Sequence, residues 1–169
     1  MANGTSVVAA NTVVVERPEH SGKIHERVYL GNCRWKVSDE FWGWWDCVKE
    51  IAKYRQQTGT CFTKELTTQI SQILMTNKSN ITLYSCLDTP MDKYHGVDCF
   101  IIWWGSLRQE SGRIVTLDIT LKEEKPSHKA DILVTPSKLC NFRELVQEII
   151  GHLTKTSPRI FYNDPTNQV

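Results

Sequence analysis

The feature that most constrains this chain is a change of hydrophobic period near residue 80. Upstream, apolar residues recur every three or four positions; downstream, from Ile81 to Leu121, they alternate or cluster as β-branched and aromatic runs. A chain carrying both periods must pack helices on a sheet, because each element can bury its apolar side only against another element. Before the change, Phe41, Trp44, Trp45, Val48, Ile51 and Ala52 predict a helix. Ser38 or Asp39 would open it by capping first-turn amides, and Thr58-Gly59 would close it. Leu66, Ile70, Ile73 and Leu74 predict a second helix from about Thr63 to residues 78–80.

After the change, Ile81 to Leu87, Val97 to Trp104, Arg113 to Leu121 and Ala130 to Val134 read as strands. Residues 105–112 suit a hairpin connection, and Thr135-Pro136-Ser137 breaks the fourth strand. Phe142, Leu145, Val146, Ile149, Ile150 and Leu153 mark a final amphipathic helix. The expected class is α/β (α+β), a mixed central sheet flanked by helices.

The length of 169 residues suits one domain, and a 40% hydrophobic share supplies its core. Residues 1–22 keep no stable period and read as a mobile arm, with a short strand at Thr12 to Val15 as the alternative. From Arg27 to Val37, two short alternations flank Gly31-Asn32, which predicts a hairpin. The domain then spans 23–156, and 157–169 form a tail or a lone edge strand at Ile160 to Tyr162. Of the tryptophans at 42, 44 and 45, Trp44 and Trp45 lie on the apolar stripe and are expected in the core. Trp42 lies off the stripe and stays open as a base-stacking residue.

The first positive charge is Arg17, so no basic n-region precedes an apolar run. The most apolar stretch, Cys99 to Leu107, is half of the roughly 20 residues that a spanning helix needs. A cytoplasmic or other reducing intracellular setting without a membrane partner is the expectation. Six cysteines with no C-x-x-C spacing are expected to be reduced and mostly buried. Twenty Lys and Arg against nineteen Asp and Glu argue against tight nonspecific nucleic-acid binding but leave room for a local basic groove.

Two carboxylates interrupt the apolar strands. Asp98 lies in Gly96-Val97-Asp98-Cys99-Phe100, and Asp118 in Val115-Thr116-Leu117-Asp118-Ile119. A charge there is costly unless it is paired or holds a metal. Alternation puts Asp118, Thr120 and Lys122 on one face, and a hairpin through 105–112 brings Asp98 beside Asp118. Close carboxylates raise each other's proton affinity unless a divalent cation lies between them, and oxygen-only ligands suit Mg²⁺ or Mn²⁺. A lysine beside that ion can orient water or stabilise charge on a phosphate, the apparatus of phosphodiester hydrolysis. The plain reading of the same residues is Asp98 capping a turn and Asp118 paired with Lys122 or Arg113.

On these residues the stretch from about 63 to 153 resembles the PD-(D/E)XK, or restriction-endonuclease-like, nuclease superfamily. The resemblance implies a restriction-endonuclease-like core and a metal-dependent nuclease acting on DNA or RNA. It casts Asp98 and Asp118 as catalytic metal ligands, Lys122 as the motif lysine, and Glu65 (or Glu50) as a helical carboxylate that joins the metal. His95 stands where it would assist. The residue two before Lys122 is Thr120 rather than an acid, so Lys125 or Lys129 is an alternative source of the lysine. Lys125, Lys129 and Arg143 are expected to contact the nucleic-acid backbone. The alternative function is a non-enzymatic binding or assembly module, a homo-oligomer joined through the apolar stripe of helix 141–154.

Overall fold

The computed structural model describes residues 18–31, 33, 35, 40–53, 59–105 and 111–162, and the side chains of 18–21 and 162 fall outside that description. The alternating segments form a mixed open sheet of β1 (Ile81–Ser85), β2 (Cys99–Trp103), β3 (Ser111–Ile119), β4 (Ile132–Val134) and β5 (Arg159–Tyr162). β1, β2 and β3 are antiparallel neighbours, with Ile81 opposite Trp103 and Cys99 opposite Leu117. The other edge of β3 is shared. Its first half pairs antiparallel with β5 and its second half parallel with β4.

At the handover between β5 and β4, Thr116 would lose a backbone partner. Asp131 takes that place: its carboxylate accepts from the Thr116 amide at 2.9 Å and from the Thr116 hydroxyl at 2.8 Å. Arg159 of β5 pairs with the same carboxylate at 3.3 Å and lies 4.6 Å over the Trp44 ring.

Among the described residues six helices flank the sheet: α1 (Pro18–Leu30), α2 (Trp44–Lys53), α3 (Cys61–Ile73), α4 (Pro90–His95), α5 (Pro136–Cys140) and α6 (Phe142–Leu153). Strand alternation divides the core in two. Cys99, Ile101, Val115, Leu117 and Ile119 pack with Leu30 of α1, with Leu66 and Ile70 of α3, and with the buried face of α6. Phe100, Ile102 and Ile114 pack on the other side with Cys47, Val48 and Ile51 of α2 and Met91 of α4.

Several expectations change. The segment from Pro18 is helical, so the arm does not extend to residue 22 and Arg27 to Leu30 are not a strand. Proline presets the first helical turn, and Gly31, at φ 71°, ends the helix with its amide on the Arg27 carbonyl at 2.9 Å. Gly31 is thus a helix stop rather than a hairpin turn. Helix α4 was not anticipated; Thr89 caps it through the Met91 amide, and Pro90 opens it.

Trp45 is 43% exposed, whereas Trp42 packs edge-on against Trp35 at 5.4 Å. The helix begins at Trp44, so helical spacing does not govern Trp42. The stripe of α6 is consumed inside the fold: Leu145, Val146, Ile149 and Leu153 are buried, and Phe142 and Ile150 pack partly against them. The apolar stripe of α6 is therefore not left over for a subunit interface. Residues 159–162 take the edge-strand option. All six cysteines are free thiols, with Cys47, Cys86 and Cys99 buried. The Thr12 to Val15 strand, the Ser38 or Asp39 cap, Asn32, Thr58 and residues 106–110 lie outside the described residues. Among the described residues no helix is long and apolar enough to cross a membrane.

Candidate functional site

The site is built where β2 begins and β3 ends. Gly96, at φ 60°, stops α4 in the left-handed region and turns the chain toward β2. Asp98 then joins the sheet through its backbone, its amide donating to Leu117 at 2.9 Å and its carbonyl accepting from Cys86 at 2.7 Å. Asp98 lies just before Cys99, which faces Leu117, and Asp118 follows Leu117 on β3; the charge of Asp118 is among those that bear on Asp98. The Asp98 carboxylate also accepts the Ile119 amide at 2.6 Å. Both acids are buried, 5% and 4% exposed.

Their surroundings are short of positive charge. Burial, then Glu26, and less strongly Asp118 and Asp92, push the Asp98 carboxyl up to about 8 against the Ile119 hydrogen bond. Burial, then Asp92 and Asp118, raise Glu26 to about 7, with Lys23 and Lys125 opposing. Burial also raises Asp92, although its carboxylate accepts the Asp88 amide at 2.9 Å. Four carboxylates from α1, α4, the start of β2 and β3 therefore share one electrostatic neighbourhood. Their direct counter-charge is Lys125, whose Nζ lies 2.5 Å from Asp118 Oδ2.

Lys122 is exposed, and its amide bonds the Thr120 hydroxyl at 3.2 Å. Alternation would carry Lys122 to the Asp118 face only if the strand continued, and β3 ends at Ile119. The lysine at the carboxylates is Lys125 instead. Glu65 is exposed on α3 and accepts from Gln69 at 2.7 Å, while Glu50 pairs with Lys53 at 2.8 Å. Neither is among the charges that bear on Asp98. Lys129 reaches the Tyr94 carbonyl at 3.0 Å, His95 bonds the Trp42 carbonyl at 2.9 Å, and Arg143 is exposed on α6.

The helical carboxylate near the acids is Glu26, absent from the sequence reading. Lys23 and Arg27 on the same helix bind Asp88 at 3.6 and 2.8 Å, which ties α1 to the start of α4 and sets Glu26 beside the acids. The signals for this helix are Pro18 at its start and Gly31 at its end.

No three of the described histidines, cysteines, aspartates and glutamates converge tightly enough to hold a metal ion by themselves. Mg²⁺ and Mn²⁺ are commonly held by one or two carboxylates, with water and substrate oxygens completing the shell. Asp98 and Asp118 fit that donor set, and Glu65 does not. No protein-family model matches the chain, and neither a curated protein nor a solved structure does.

Proposed function

We propose that this protein is a metal-dependent nuclease that hydrolyses nucleic-acid phosphodiesters at the Asp98–Asp118 pair. The observation that carries the reading is a pair of buried acids where β2 begins and β3 ends, electrostatically coupled to each other and to Glu26, with Lys125 on Asp118. Bound Mg²⁺ or Mn²⁺ supplies Lewis-acid activation of the phosphoryl group and of a water. The chain's own residues prepare the rest. Ile119 fixes one Asp98 oxygen and leaves the other to bind. Lys125 neutralises Asp118 and, with a cation held there, would be available to stabilise phosphate charge.

The PD-(D/E)XK resemblance is supported by α3 followed by three antiparallel strands with the acids at the β2–β3 end. The chain departs from it where β4 comes directly after β3, ahead of α5 and α6, and where the lysine stands seven residues beyond its acid.

The test is cleavage of single-stranded and duplex DNA and RNA with Mg²⁺ and with Mn²⁺. Asp98→Ala, Asp118→Ala and Lys125→Ala should abolish it, and Lys122→Ala should retain it. A wild type that cuts no nucleic acid with either ion overturns the reading. Among the described residues no third ligand joins the pair, which fits one alternative, a binding module with a degenerate site that would show nucleic-acid affinity without cleavage.

A further inference from the structure

Phe41 is 70% exposed, an unusual position for a large apolar ring beside a packed core. Its neighbour Trp42 is drawn inward, with its ring against Trp35 and its carbonyl held by His95. Phe41 instead rests edge-on against Tyr94 at 5.5 Å and tilted on His95 at 5.7 Å. Both partners belong to α4, which also carries Asp92 and ends three residues before Asp98. Three residues of chain span at most about 11 Å, which bounds the backbone distance from His95 to Asp98.

Cations stand at the same place. Lys93 lies 5.4 Å from the centre of the Tyr94 ring. Lys129 bonds the Tyr94 carbonyl with one of its three donors, and Lys125 of the same connecting segment holds Asp118. A hollow of about 480 Å³ also borders Phe41, but it carries Glu40, Asp46 and Glu50 against Lys49 and Lys53. That acidic majority directs a phosphate backbone away from the hollow and toward Lys129.

We propose that Phe41, backed by Tyr94 and His95, is the stacking platform for an unpaired base, and that the substrate is therefore a single-stranded nucleic acid. The proposal rests on the nuclease reading and narrows its substrate. A base inside a duplex has both faces covered by its neighbours, so only an unpaired base can lay a face on an exposed ring. The lysines then track the backbone between that base and the carboxylates.

The test measures binding of labelled oligothymidine, oligouridine and a duplex of mixed sequence by fluorescence anisotropy, together with metal-dependent cleavage of each. Wild type should prefer the single strands. Phe41→Ala should weaken single-strand binding by about 5- to 150-fold, the range for one stacked base. Phe41→Trp should restore it, which loss of a merely structural residue would not allow. Wild type that cuts single strands, with Phe41→Ala binding and cutting them equally well, overturns the platform and leaves the nuclease standing. Single-strand binding that depends on Phe41 without cleavage overturns the nuclease and keeps the platform. Preference for duplex by wild type overturns the platform.

Discussion

The carboxylate of Asp98 takes the place of a backbone acceptor for Ile119, closing the β2–β3 ladder at 2.6 Å with a side chain. Asp98 therefore has a structural duty separate from any chemistry. Asp98→Ala strands the buried amide and should cost about 1–3 kcal/mol. Asp98→Asn keeps an acceptor oxygen and, like the protonated carboxyl that burial favours, carries no charge, so its stability near neutral pH should lie close to wild type. Denaturant unfolding of both variants measures the difference. Equal losses would mean that the Ile119 bond contributes nothing. Cleavage should be lost in both.

Lys125 is the direct counter-charge on buried Asp118. Removing one member of such a pair leaves the other desolvated and uncompensated. Because the lysine is itself partly exposed, the loss in Lys125→Ala should be only ~1 kcal/mol after solvent screening. Lys122→Ala, on an exposed residue, should fall within about 0.5 kcal/mol of wild type. Reversal of that order in urea midpoints would contradict the assignment of Lys125.

Mn²⁺ or Mg²⁺ should stabilise the folded chain, since an ion that binds only the native state adds stability by mass action. At about 100 times Kd the gain is ~2.7 kcal/mol. Thermal melts of wild type, Asp98→Ala and Asp118→Ala with and without Mn²⁺ read it directly. The shift should vanish in both variants; a shift that persists in either would place the ion elsewhere.

Glu26 gives stability a defined slope with pH. Its carboxyl is raised from 4.5 to about 7 in the folded chain. The unfolded chain releases this proton first, so stability contributed by the neutral form is complete below pH 4.5, falls as pH rises toward 7, and levels off above. Glu26→Gln should flatten that part of the profile and be relatively more stable at about pH 8 than at about pH 4. Unfolding midpoints across the interval check it, and an unchanged slope would sink the idea.

Asp131 bridges the seam between β4 and β5 through Thr116 and Arg159. Asp131→Ala leaves the Thr116 amide without its acceptor and should cost ~1–3 kcal/mol, and Asp131→Asn less. Hydrogen exchange at Thr116 should accelerate in the alanine variant. Protection equal to wild type would show that another group fills the seam.

The strands, α3 and α6 were legible because their apolar periods are long and uninterrupted. The burial of Asp98 and Asp118 was legible too, because both interrupt apolar strand segments. Glu26 and Lys125 were not. Glu26 sits on a helix whose outer face carries exposed Ile24 and Val28, so its apolar pattern is blurred. Only Pro18 and Gly31 announce that helix, and glycine followed by asparagine equally announces a hairpin. Lys125 lies beyond the end of β3, where the two-residue period no longer says which way a side chain points. Phe41 was assigned to a helix that begins three residues later, so its exposure was hidden.

The connection from β3 to β4 runs through residues 120–131 without a helix, although parallel neighbours are usually joined by one. Both of its ends are clamped by sheet pairing, and between them it carries Lys125 and Lys129. Sheet and chemistry are therefore modular along the chain. Lengthening, shortening or rewriting 121–129 would redraw the cationic rim, provided that Thr120, Ala130 and Asp131 keep their places in the sheet and the core. Among variants of this protein, that crossover is where a change of substrate can arise at the least risk to folding.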